Sequence, residues 1–361
     1  TFKTSRSHHQ CWVECRRKRF LQYHVHGTGI VPKQRERGLD FGTHVHALLA
    51  AAIFAAQPSA EIAGKLQGVS SDTKLGCQEA ELTLSSVTEQ ERNLASALVS
   101  VWMELAWPQL QQRYSVIAVE EEWELKPQPW LTWPCRIDLV LEDRESGELV
   151  PLDFKAVGGL DDRWLSAYAY DMQTICHTYA VEQHYGRPCT KVLLHFLNKG
   201  YAKDAGYTSP LVRGYRKPAL PPFEEAQYAW EWKRSPWQPF DAWQFEGGLD
   251  AWLKWLPRDL KTAQIAQREV YRHANVDSWI RQFCRQESII AEGLAMLPEA
   301  VEDGMEESIM DSYFPGNFDQ GCFSNRYYKR CPYVPLCFEG VSVEAALEGG
   351  DFVQREDHHA K

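Results

Sequence analysis

The stretch CRIDLVLEDRESGELVPLDFKAV, residues 135–157, constrains the fold more than any other part of this 361-residue chain. Two runs rich in Val, Leu and Ile, 135–142 and 148–157, flank the turn residues Arg144–Gly147. That is the pattern of two strands joined by a short loop. Paired as an antiparallel hairpin, they set residue 143 against 148, and the same register carries Asp138 opposite Asp153. Side chains alternate along a strand, so Asp153 and Lys155 share a face. Two carboxylates and an ammonium then converge on one patch of an apolar hairpin, beside Ile137, Leu139, Leu152 and Phe154. Like carboxylates set opposite each other repel. A hard divalent cation with oxygen ligands, Mg²⁺ or Mn²⁺, is the natural occupant. Lys155 would then orient an attacking water or stabilise charge building on a phosphate.

Around the hairpin the pattern predicts helices at 41–56, 88–112 and 166–185, and strands at 114–125 and 191–198. Strands framed by helices predict an α/β domain with a mixed central sheet. The chain divides into an N-terminal segment (1–40), a hairpin-bearing core (41–200), a Trp- and Pro-rich insert (201–260), a helical region (261–309), a cysteine-bearing loop (310–338) and an acidic tail (339–361). Within the first segment a helix is expected over Cys11–Tyr23, and 262–298 is expected to be helical throughout.

With 44% hydrophobic and 24% charged residues, the composition is that of a globular protein and not a disordered one. No run approaches the roughly 18 apolar residues of a membrane span. The opening TFKTSRSHHQCWVECRRKRF lacks the apolar stretch of a secretory signal, so a cytoplasmic location is expected. A net charge of −10 runs against phosphate binding, but the basic residues are concentrated. Arg16, Arg17, Lys18 and Arg19 form one run; Arg326, Lys329 and Arg330 form another.

Asp138, followed fifteen residues later by the Asp153-x-Lys155 set, resembles the signature of the PD-(D/E)XK nucleases. FGTHVHALL (41–49) is similar to the Gly…His helix of the RecB-like branch, and DMQTICHTYA (171–180) to its Gln…Tyr helix. The resemblance implies a restriction-endonuclease-like fold and a DNA exonuclease. It implies metal ligation by His46, Asp138, Asp153 and the Phe154 carbonyl, with Lys155 catalytic. Gln173 and Tyr179 would support the site or the DNA. His44 competes with His46, though helix register favours His46. One of Glu120, Glu121 and Glu122 could assist the metal, and nothing in the sequence chooses among them. The second acid is Asp153, where this branch usually carries Glu. No GxxxxGK[ST] phosphate loop occurs, so a helicase, recombination or integrase partner is a further expectation; the alternatives to an exonuclease are an endonuclease or nuclease subunit of a larger complex, and a non-catalytic DNA-binding protein.

Cys322, Cys331 and Cys337 follow Cys-x8-Cys-x5-Cys spacing in a stretch held by Pro332 and Pro335. Three thiols so close suit a soft metal or cluster, with Cys15 as the fourth ligand and Cys11 its substitute. This layout resembles RecB-like nucleases that carry a [4Fe–4S] cluster, which would tie the chain's two ends and bring both basic runs to DNA. Zinc is the chemical rival.

Overall fold

The computed structural model describes residues 1–33, 37–56, 87–159, 166, 168, 171–200, 213–216, 238–241, 246–256, 258–262, 264–317, 322 and 330–355. The first elements are strand β1 (Phe2–Lys3), helices α1 (Arg6–Glu14) and α2 (Arg16–Tyr23), and strand β2 (Ile30–Pro32). Helices α3 (Arg37–Ala56), α4 (Glu89–Leu105) and α5 (Trp107–Arg113) precede strands β3 (Tyr114–Gln128), β4 (Leu131–Asp143) and β5 (Leu149–Val157). Helix α6 (Met172–Tyr185) leads into β6 (Lys191–Asn198), and the short strands β7 (Arg213–Arg216) and β8 (Gln238–Asp241) pair with each other. Then come α7 (Gly248–Trp255), α8 (Arg258–Thr262) and β9 (Ile265–Tyr271). The remaining elements are α9 (Val276–Glu302), α10 (Glu306–Tyr313), α11 (Val334–Phe338), α12 (Val343–Glu348) and β10 (Phe352–Gln354). Most of the insert 201–260 lies outside the described residues.

The chain groups into two compact units, each assembled from separated stretches. One takes Glu36–Trp123 and Arg136–His273. In its sheet β4, β5, β6 and β9 lie in that order, β4–β5 and β6–β9 antiparallel and β5–β6 parallel, and β3 also pairs with β4. A parallel pair needs a crossover, and α6 supplies it. The register Leu139↔Leu152, Leu141↔Val150 is the one the hairpin pattern predicts. Val192, Leu194 and Phe196 bury one face of β6, while Leu193 and Leu197 bury the other, as a strand covered on both faces must.

On one of these faces, Phe41, Val45, Leu49 and Ile53 of α3 recur every four residues and meet Leu94, Leu98 and Trp102 of α4. A capping box between Thr88 and Glu91 starts α4. Within the core the Trp102 indole donates to His195 Nδ1 at 2.9 Å, and burial pushes the His195 imidazole down to about 3, so it stays neutral.

The other unit takes Thr1–Arg35, Glu124–Cys135 and Ala274–Lys361. The expected single helix over Cys11–Tyr23 is broken into α1 and α2 at Cys15, which is extended (φ −166°, ψ 123°). The region 262–298 is also not all helix. It begins with strand β9, whose Val270 packs beside Val192 in the sheet, and long-range pairing with β6 overrides the local pattern. Within the tail, α12 and β10 form, the latter antiparallel to β2, because Phe352 and Ala346 close over Leu21, Ile30 and Tyr333.

Arg19 corrects another expectation. Assigned with its run to DNA, it is instead wholly buried, donating to Glu287 Oε1 at 2.7 Å and Oε2 at 2.6 Å. Thr4 Oγ1 accepts from the same guanidinium, and His9 Nδ1 lies 3.5 Å from Glu287. Burial works against the Glu287 charge, but Arg19 overcomes it and holds the carboxyl down to about 2. Among the described residues no helix is long and apolar enough to cross a membrane.

Replacing Arg19 with Met leaves a buried carboxylate unpaired, which costs about 3–5 kcal/mol. Wild-type Glu287, with its depressed pKa, contributes stability that is complete above about pH 4.5 and drains as pH falls toward 2. In Arg19→Met the preference inverts, since protonation relieves the unpaired charge. Urea melts should therefore show a larger loss at pH 7 than at pH 4; a loss independent of pH contradicts this account.

Candidate functional site

The β4–β5 ladder closes at Leu139↔Leu152, one residue short of the two acids. There the Asp138 carboxylate enters the strand gap, and its Oδ2 accepts from the Phe154 backbone N–H at 2.7 Å. Its Oδ1 lies 3.2 Å from Nδ1 of His46, on α3. His46 flanks the buried α3 stripe, one position after Val45, whereas His44 is buried and pushed down by burial and the charge of Arg92. Phe154 turns its ring into the core against Trp102, and it is the N–H of this residue that meets Asp138.

Glu120 is the residue that sequence reasoning could not single out. It has φ +48° inside β3, a left-handed conformation that costs an L residue about 1–2 kcal/mol. Ligand atoms of His46, Glu120 and Asp138 lie within 4.8 Å of one another. Glu121 instead accepts from the Tyr185 hydroxyl, and Glu122 lies 3.4 Å from Arg136. Three consecutive glutamates are alike in sequence; only the kink in the strand separates them.

Asp153 stands outside that trio and is 2% exposed. Its Oδ2 is 2.6 Å from Lys155 Nζ, and its Oδ1 accepts from Gln173 Nε2 at 2.9 Å. Lys155 Nζ in turn donates to Gln173 Oε1 at 2.8 Å. The three side chains close a ring in which the amide sets oxygen toward ammonium and nitrogen toward carboxylate, the only polarity that satisfies both. Gln173 is placed by the start of α6, where Asp171 caps the helix by accepting from the Gln173 N–H at 2.7 Å. Tyr179, six positions further along α6, is rotated about 240° around the axis from Gln173 and is not gathered into this ring.

The electrostatics describe a place that seeks a cation. Burial, and behind it the Asp138 charge, pushes Glu120 up to about 7. Asp138, despite burial, is held down to about 2 by His46 and the Phe154 N–H. Burial opposes a charge on His46 as well, yet Asp138 holds the imidazole up to about 9. A proton on His46 therefore balances the carboxylates where a metal could do so. Two carboxylates and one imidazole fit a divalent ion such as Mg²⁺ or Mn²⁺.

In the other unit, Cys15, Cys322, Cys331 and Cys337 are free thiols within electrostatic reach of one another. Burial first, and then the neighbouring thiols, push Cys337 up to about 11. The Cys331 N–H donates to the Cys322 carbonyl at 2.8 Å. Cys11 is buried, its thiol donating to Gln22 Oε1 at 3.6 Å, and it too lies within electrostatic reach of Cys15. Of the neighbouring basic residues, Arg16 stacks over Trp12, Arg17 pairs with Asp311, Lys18 with Glu14 and Arg330 with Glu339. Arg326 and Lys329 lie outside the described residues.

The family model of the PD-(D/E)XK nuclease superfamily matches residues 3–338. A search of curated proteins gives no match.

In the metal-free protein His46 should titrate near pH 9, its positive charge fully present below about pH 6.5 and lost as pH rises through 9. Asp138→Asn removes the largest influence that holds the proton, and the titration should then fall clearly below pH 9. ¹⁵N-edited NMR of the ring nitrogens reads this directly; an unchanged His46 titration in Asp138→Asn refutes the pairing.

Proposed function

This chain belongs to the PD-(D/E)XK nuclease superfamily, whose members are metal-dependent nucleases, and from that premise we propose that it is a DNA exonuclease of the RecB-like branch. The observation that carries the reading is the closed ring of Asp153, Lys155 and Gln173 beside the His46, Glu120 and Asp138 group. His46, Glu120 and Asp138 would hold Mg²⁺ or Mn²⁺, with Asp153 and the Phe154 carbonyl as further ligands. When bound, the ion supplies Lewis-acid polarisation of a phosphate and a water acidified toward neutral pH.

The chain's own residues do the rest. Lys155 is held in a fixed direction between a carboxylate and an amide oxygen. It can orient the attacking water or stabilise the charge that develops on the phosphate. Gln173 locks Lys155 and Asp153 in one geometry, which spares the site reorganisation during reaction. Tyr179, Arg16, Arg17, Lys18 and Arg330 are proposed DNA contacts, as are Arg326 and Lys329.

The four thiols are proposed to hold a [4Fe–4S] cluster that ties the terminal segments together, with zinc as the rival. Their mutual nearness supports a shared centre. A DNA-processing role beside a helicase, recombination or integrase partner fits the reading.

A cleavage time course on end-labelled linear and closed-circular DNA, with Mn²⁺, Mg²⁺ or EDTA, tests it. Metal-dependent loss of linear DNA with circles spared is expected, and Lys155→Ala should lower the rate by about 10²–10³-fold while DNA binding persists. Cut circles make it an endonuclease; full activity in Lys155→Ala overturns the assignment. Protein purified without oxygen should be brown with broad absorbance, whereas a colourless zinc protein refutes the cluster.

A further inference from the structure

Arg136 lies two residues before Asp138 on β4, so the two side chains leave the same face of the strand. Its Nε donates to Glu120 Oε2 at 2.6 Å, and its Nη1 lies 3.4 Å from Glu122 Oε1. Neighbouring strand β3 thus offers two acids to one guanidinium, while Glu121 between them goes to Tyr185. The Glu120 backbone is held at φ +48° where the strand would otherwise be extended. Such a conformation persists only when its surroundings over-determine it, and the Arg136 contact is the strongest polar tether that Glu120 has. A carboxylate has two oxygens, so an oxygen held by Arg136 is compatible with the other serving a cation.

We propose that Arg136 is a positioning residue for metal binding, which selects Glu120 from the three consecutive glutamates and aims it at His46 and Asp138. This rests on the reading that His46, Glu120 and Asp138 hold the divalent ion. Arg136 acts from outside the ligand set, as the hydrogen-bonding partners of ligating carboxylates do in metal sites generally. The sign of its effect is the distinctive point. A guanidinium beside a cation site should weaken metal binding through charge repulsion alone; a positioning role makes its removal weaken binding instead.

The test titrates Mn²⁺ into the full-length protein and follows free Mn²⁺ by electron paramagnetic resonance, for wild type, Arg136→Met, Arg136→Lys, Glu120→Gln, the Arg136→Met/Glu120→Gln double variant and Asp138→Asn. Arg136→Met should weaken Mn²⁺ binding about 10–100-fold, and Arg136→Lys less. Glu120→Gln should weaken it similarly, and the double variant no further, since the two act through one carboxylate. DNA cleavage by Arg136→Met should recover at saturating Mn²⁺, with the metal requirement raised and the maximal rate largely kept. Unchanged or tighter Mn²⁺ binding in Arg136→Met overturns the proposal, as do additive losses in the double variant or a fall in melting temperature with no change in Mn²⁺ affinity. Wild-type Mn²⁺ binding in Asp138→Asn would instead overturn the underlying assignment of the metal site.

Discussion

Two acids on neighbouring strands, facing each other where a hairpin ladder stops, set the terms for the nuclease unit. Continued for one more pair, the ladder would bring Asp138 and Asp153 side by side with no counter-charge. The strands part instead, and each acid takes a different partner set: Asp138 the Phe154 N–H and His46, Asp153 the ammonium of Lys155 and the amide of Gln173. Two helices beside the hairpin serve that separation. Helix α3 must present a histidine to one acid, and α6 must begin where its first turn reaches the other.

The second unit is organised by a different buried charge. Arg19 and Glu287 are both excluded from solvent, and their paired geometry binds α2 to α9. This fixes the start of α2, and with it the extended residue Cys15. Cys15, on which the cluster proposal rests, thus lies four residues before Arg19 of this buried pair. A basic run that looks uniform along the chain is divided in space, with Arg19 inward and Arg16, Arg17 and Lys18 toward the surface.

What was legible in the sequence followed from short-range rules. Alternation and turn residues predict the β4–β5 register, and the observed pairs Leu139↔Leu152 and Leu141↔Val150 agree with it. His44 and His46 flank the buried Val45 on either side, and the Asp138 contact, not the stripe, marks out His46. Where the outcome rested on distant chain, the local pattern misled. Strand β9 reads as helix until β6 offers it a ladder, and β10 reads as loose tail until β2 does. Ordinary neighbours decide such segments, and those neighbours lie dozens to hundreds of residues away.

The sequence by itself determined the mixed α/β architecture, the apolar hairpin with its two acids and lysine, and the family to which the chain belongs. These depend on residue type and spacing, which periodicity converts directly into faces and registers. Only the tertiary structure decided that Glu120 and not its two neighbours joins His46 and Asp138, and that Arg19 is interior. Each of those is a choice among chemically equivalent residues, and such a choice is made by a backbone kink or a buried counter-charge supplied from elsewhere in the chain.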